Sequence, residues 1–269
     1  MGYSSSDDPD SVLSERYSFL HILMDQPRSK SELEEVVDVS RSTLDRALRD
    51  LADSEFVVYK DGVWKPTPLG RCSYRAREAY LGRLESLVEA GPLINELSTT
   101  DMIDYPFLEG ASVNRADPSM PDAIIQLLLD SVETGKYITI ITPVVITGFA
   151  EELYERVRST EDYSLDLIIP PDVFERMRAV FSSLTNKLQD DSNVSLHTAT
   201  MPFSFGLWIV DSSEAGVIIF TEQGVRGILM NDTPDALDWA EDQYNRVKQE
   251  ANSDFLALLK SSGSYMFAM

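Results

Sequence analysis

Apolar positions along the chain follow two periods, and the switch between them divides the sequence into elements. Tyr17, Leu20, Ile22, Leu23 and Met24 make one apolar face and predict a first helix over residues 11–24, stopped by Asp25-Gln26-Pro27. Ser31, with Glu34 three residues on, has the form of a capping box and opens a short second helix reaching about Val37. Val39 and Ser40 then make a turn, and Ser40 or Ser42 caps a third helix over 40–53. Its Leu44, Ala47, Leu48 and Leu51 recur at i, i+3, i+4 and i+7, the spacing of a buried face. The period then falls to two. Residues 56–59 read as a strand, Lys60-Asp61-Gly62 as a hairpin turn, and 63–66 as the returning strand. Thr67-Pro68 starts a longer helix to about Glu89. On it Tyr80, Leu84, Leu87, Gly91 and Ile94 step 4-3-4-3 like a short heptad seam, until Gly91-Pro92 interrupts it.

Three helices followed by a hairpin form the pattern of a winged helix-turn-helix, a unit that lays its third helix in the major groove of duplex DNA. The residues expected at such an interface are Ser40, Arg41, Ser42, Thr43, Arg46 and Arg49 on the third helix, Lys60 and Lys65 on the wing, and Arg71 at the start of the next helix. Arginine forks match guanine O6 and N7, while hydroxyls and lysines suit phosphates. Any trihelical core has similar periodicity, so a winged helix used for docking a protein is the alternative. The seam on the long helix predicts a homodimer, as befits a reader of two half-sites.

Beyond about Leu97 the pattern changes again. Residues 98–106 read as a linker and 108–114 as a strand. A helix over 121–133, a strand over 137–141, a helix over 146–158, a strand over 165–169 and a helix over 171–188 follow. Strands at 194–197, 206–210, 216–220 and 227–230 come next, then a closing helix from Pro234 to about Leu259. Alternating strands and helices, then a run of strands, predict an α/β sandwich with a mixed sheet. The expected organisation is a winged helix-turn-helix domain at 1–70, a connecting and dimerisation helix at 71–98, and an α/β sensor domain at 99–269.

Charge sharpens this picture. The chain has 269 residues with 45 acidic and 23 basic side chains, a net charge of −22, and only 7 of the basic residues are lysine. Such a surface suits a protein working in molar salt, which implies a halophilic source. Residues 1–90 carry −5 and residues 91–269 carry −17. Within 60–83 the balance reverses, with Lys60, Lys65, Arg71, Arg75, Arg77 and Arg83 against Asp61 and Glu78. At molar ionic strength the screening length is about 3 Å, so a local basic patch can act despite an acidic whole. A single cysteine, Cys72, excludes an internal disulfide and points to the cytoplasm. The polar, acidic first ten residues do not read as a signal peptide, and the sequence has no apolar run long enough to span a membrane.

The C-terminal half resembles the middle domain of archaeal winged-helix regulators of methanogenesis. The resemblance rests on the stretch from Glu133 to Pro143, on the stretch from Phe203 to Asp211, and on Gly224-Val-Arg-Gly-Ile-Leu with Asp238-Trp-Ala-Glu241. It implies a fold similar to phospholipase D and to the effector domains of TrmB-type sugar regulators, and a transcription regulator whose C-terminal domain receives a signal. Phospholipase D chemistry needs His-x-Lys with four residues between the Lys and an Asp. Aligned on Asp211, those positions hold Ser204 and Gly206. His197 lies early and lacks a lysine partner, and His21 shares its helix face with Tyr17 and Met24. No catalysis, metal site or cofactor is expected. A small-molecule effector site is expected where strands end, from Thr142, Pro143, Phe149, Met201, Phe203 and Phe205. The alternative is a degenerate hydrolase-like domain used for protein interaction.

Overall fold

The computed structural model describes residues 8–263 apart from 99, 100, 102, 118, 134 and 223. Thr99, Thr100 and Met102 of the expected linker, and the first seven residues of the acidic lead-in, lie outside the described residues. The chain is a mixed α/β protein that divides into two compact units, Met1–Leu84 and Glu85–Met269.

In the first unit α1 (Pro9–Glu15), α2 (Tyr17–Asp25), α3 (Lys30–Val36) and α4 (Arg41–Asp53) precede a hairpin of β1 (Val57–Lys60) and β2 (Val63–Pro66). The single first helix expected from the sequence is two helices. Arg16 leaves helical geometry at φ −109° and ψ 10°, and its guanidinium pairs with Asp50 of α4 at 3.0 Å. The break lets Val12 and Leu13 reach the same core as Phe19, Leu20 and Leu23. The capping box also lies two residues earlier than expected. The Ser29 hydroxyl accepts from the Glu32 amide at 3.3 Å, and the Glu32 carboxylate accepts from the Ser29 amide at 2.6 Å. Ser40 caps α4, and Leu44, Ala47, Leu48 and Leu51 are buried as their spacing predicts.

The hairpin turns at Asp61 (φ 57°) and Gly62 (φ 84°), the left-handed pair that matches the twist of the flanking strands. Arg28 adds a third, one-residue strand. It exchanges backbone hydrogen bonds with Trp64 at 3.1 and 2.7 Å. The wing is locked to the following helix, α5 (Pro68–Ile94), through Thr67. The Thr67 amide donates to the Phe56 carbonyl at 3.0 Å, and its hydroxyl donates to Glu55 O at 2.6 Å and accepts from the Gly70 amide at 2.9 Å. Gly70 passes so close to β1 that a Cβ there would sit 1.9 Å from Phe56 O.

Helix α5 does not stop at Gly91-Pro92, as expected, but runs through to Ile94. Pro92 lacks an amide and frees the carbonyl of Val88. Val88 is 75% exposed, so water can take that carbonyl.

The second unit is a three-layer sandwich around a seven-stranded sheet, in the order β3-β9-β8-β7-β4-β5-β6. Its strands are β3 (Ser112–Arg115), β4 (Tyr137–Ile141), β5 (Ser164–Ile169), β6 (Val194–Thr198), β7 (Gly206–Val210), β8 (Glu214–Thr221) and β9 (Gly224–Asn231). β4, β5 and β6 run parallel and the remaining pairs are antiparallel. One face packs on the end of α5, the short α6 (Tyr105–Leu108) and the closing helix α11 (Pro234–Gly263), through Leu93, Phe107, Phe205 and Trp239. The other packs on α7 (Ile125–Glu133), α8 (Thr147–Val157), α9 (Pro171–Val180) and α10 (Ser182–Asp190), through Leu128, Tyr154, Met177 and Trp208. Two expectations change here. Residues 105–108 are helical, so β3 begins at Ser112. The helix expected over 171–188 breaks at Phe181 (φ −122°, ψ 47°) into α9 and α10.

Candidate functional site

On α4 the buried stripe fixes what the rest of the helix presents. With about 100° per residue, Ser42, Arg46 and Arg49 lie opposite Leu44, Leu48 and Leu51, and all three are exposed. Arg41 sits toward the flank, where its guanidinium meets Glu34 of α3 at 3.1 Å. Asp45 is neutralised by Lys30 at 2.6 Å. Arg46, Arg49, Lys60, Arg71 and Arg75 are exposed and have no ion-pair partner among the described residues. Lys65 on the wing is half-buried beside Asp61, at 3.5 Å.

The hydroxyl cluster at the helix start has a structural task. Ser40 Oγ accepts from the Thr43 amide at 3.2 Å and contacts the hydroxyls of Ser42 and Thr43 at 2.9 and 2.8 Å. The cap orients Ser42 and Thr43 at the positive end of the helix dipole. The nine residues expected at a DNA interface therefore separate into a cap (Ser40), two hydroxyls it orients, two cations already paired (Arg41, Lys65), and four cations without an ion-pair partner among the described residues. Arg75, one turn of α5 beyond Arg71, was counted in the basic stretch of the sequence but not among the residues expected at the interface, because it carries no motif. Sequence reasoning also passed over the Arg28–Trp64 bridge that steadies the wing.

The six residues expected at an effector site do not come together. Thr142 and Phe149 line a cavity of about 90 Å³ on the α7–α8 face of the sheet, with Leu128, Ile140, Leu153 and Phe220. Pro143 lies in the loop beside it but does not line it. Met201, Phe203 and Phe205 belong to the opposite face, where the two phenylalanine rings stack 4.2 Å apart in the core against α11.

A polar cluster on the α11 face was not anticipated. Asp166 of β5, with its side chain 15% exposed, accepts from Tyr244 Oη at 2.6 Å and from the Lys248 ammonium. His197 Nε2 lies 3.7 Å away. Burial lowers the Lys248 pKa, but hydrogen bonds to Asp166 and Tyr244 outweigh it and hold the ammonium above the ordinary lysine range. Asp166 comes from β5 and its partners Tyr244 and Lys248 from α11, 78 and 82 residues later, so no local spacing could reveal the cluster.

The positions aligned with a phosphodiesterase motif are engaged elsewhere. Asp211 Oδ1 accepts the amides of Lys136 and Tyr137 at 3.0 and 2.7 Å, tying the start of β4 to the turn between β7 and β8. Ser204 is held by Asp101 through its amide, at 3.2 Å, and its hydroxyl. His21 packs in the first unit, with Nδ1 2.6 Å from Tyr74 Oη.

Residues 121–250 match the family model for the middle domain of the methanogenesis regulatory protein FilR1, and residues 11–88 match the model named HVO_A0261 N-terminal domain. Together with a winged helix and a mixed-sheet sandwich, these matches support a transcription regulator. Among solved structures, TrmBL2, an archaeal chromatin protein with a novel mode of DNA binding, is 13% identical. The alignment covers 92% of this chain and 99% of that one, with a TM-score of 0.41. The S-adenosylmethionine-dependent methyltransferase SibL is 14% identical over 73% of this chain and 62% of its own, at a TM-score of 0.23. RosA, a riboflavin-derivative dimethyltransferase from Streptomyces davawensis, is 16% identical over 70% and 61%, at 0.20. Likenesses this distant carry no functional argument. No curated protein matches the chain. Among the described residues no helix is long and apolar enough to cross a membrane, and no cluster of metal-ligating side chains occurs.

Proposed function

We propose that the protein is a cytoplasmic, non-enzymatic transcription regulator of a halophilic archaeon. It binds duplex DNA as a homodimer and receives a small-molecule signal through its C-terminal unit. The observation that carries this reading is the stripe Ser42–Arg46–Arg49 on α4, exposed opposite the buried leucines, with no ion-pair partner for its two guanidiniums among the described residues. Arg46, near the N-terminal half of the helix, reads a base edge. Arg49, Lys60, Arg71 and Arg75 hold phosphates on either side. Of the seam expected on α5, Leu87 and Ile94 pack against the core of the second unit instead; the dimer is supported by the apolar surface that α5 leaves in solvent at Tyr80, Leu84 and Val88, one turn apart.

The acidic total favours a second reading, a winged helix that docks a protein. The two separate in one experiment. A regulator enriches a defined sequence from a random pool of duplexes in molar KCl. A docking module enriches none, and that result would overturn the proposal.

A further inference from the structure

The cavity on the α7–α8 face has a chemistry of its own. Among the described residues its lining, apart from Thr142 and Tyr154, is aliphatic, aromatic or the Met177 thioether, without a charged group. Both hydroxyls are already committed. Tyr154 Oη donates to Asp191 Oδ2 at 2.7 Å, and Thr142 Oγ1 donates to Val144 O at 2.6 Å. A charged or strongly polar guest would shed its hydration and find no partner. Val144 lines the cavity and is 43% exposed, so the space reaches the surface at the loop following β4. Ile146 stands at the N-cap of α8 and supplies no side-chain hydrogen bond. Ala150 is the smallest side chain of the lining.

We propose that this cavity binds a neutral apolar molecule of about one ring, admitted past residues 142–146. Its volume, about 90 Å³, is below the roughly 150 Å³ of an enclosed apolar cavity that takes benzene, but this one opens to solvent and need not enclose its guest. The inference deepens the signal-receiving reading above and rests on it for the guest's role as an effector. It also fixes the effector's class, which excludes sugars and carboxylates.

The test uses the full chain and three probes, toluene, benzoate and glucose, followed by thermal melting. Toluene raises the melting temperature saturably, while benzoate and glucose do so at least tenfold more weakly or not at all. Ala150→Leu fills the cavity, melts no lower than the parent, and loses the toluene response. Should that variant not fold, Val145→Phe at the rim blocks in its place. The inference is overturned if toluene gives no saturable shift, if benzoate matches it, or if the folded filled variant responds like the parent. DNA retardation without any probe is measured alongside. A chain that takes toluene but retards no duplex upholds the cavity and sinks the regulator reading, and the reverse result sinks the cavity alone.

Discussion

Asp191 shows how single side chains set the protein's response to acid. Burial would raise its pKa, but donors from Tyr163, Tyr154 and the Asn193 amide hold it below the ordinary carboxylate range. A depressed carboxyl contributes stability that is complete above the unfolded-state value of about 3.9 and is lost as pH falls through the folded-state value. Tyr163→Phe removes one donor to a charged acceptor and is expected to cost about 1.5–3 kcal/mol near pH 6. Urea unfolding compared with the parent should show that gap shrinking below about pH 4, where the unfolded-state carboxyl takes up its proton. A gap constant with pH would place the effect in packing instead. None of this was legible in the sequence, because Tyr154, Tyr163 and Asp191 meet only through the fold. The exposed cations of α4 were legible, since a helix with a buried stripe must turn its other residues outward. What stayed hidden was which were already paired, as Arg41 is by Glu34.

Among the elements, the wing and α5 behave as one joint. Gly70→Ala would drive a methyl group into the Phe56 carbonyl and is expected to cost about 1–3 kcal/mol. Hydrogen exchange should rise first in β1 and β2, and protection equal to the parent's would contradict the joint. Ser40→Ala removes the cap of α4 and should cost about 1 kcal/mol in denaturant unfolding. The periodic helices and the Asp-Gly hairpin were readable because local patterning decides them. The boundaries that shifted were decided from a distance. Arg16 leaves the helix to reach Asp50, and α5 runs on through Pro92, whose ring frees the carbonyl of the exposed Val88. The cap moved from Ser31 to Ser29 for a local reason. The run Ser29-Lys-Ser-Glu-Leu-Glu34 contains the same motif twice, and spacing alone does not choose between them.

For the whole molecule, a charge of −22 and a DNA-binding surface conflict at low salt and are compatible at high salt. If Tyr80, Leu84 and Val88 form the dimer seam, Leu84→Glu yields a monomer by light scattering while the far-ultraviolet dichroism stays unchanged. A variant that remains dimeric refutes that seam. The central claim is that the stripe on α4 reads DNA. Its most direct test is the affinity of the Arg46→Ala/Arg49→Ala double variant for a duplex selected by the parent, measured by anisotropy in molar KCl beside Arg176→Ala as a control. The account predicts about a ten- to hundred-fold loss for the double variant and no change for the control. Equal affinity for all three proteins would contradict it.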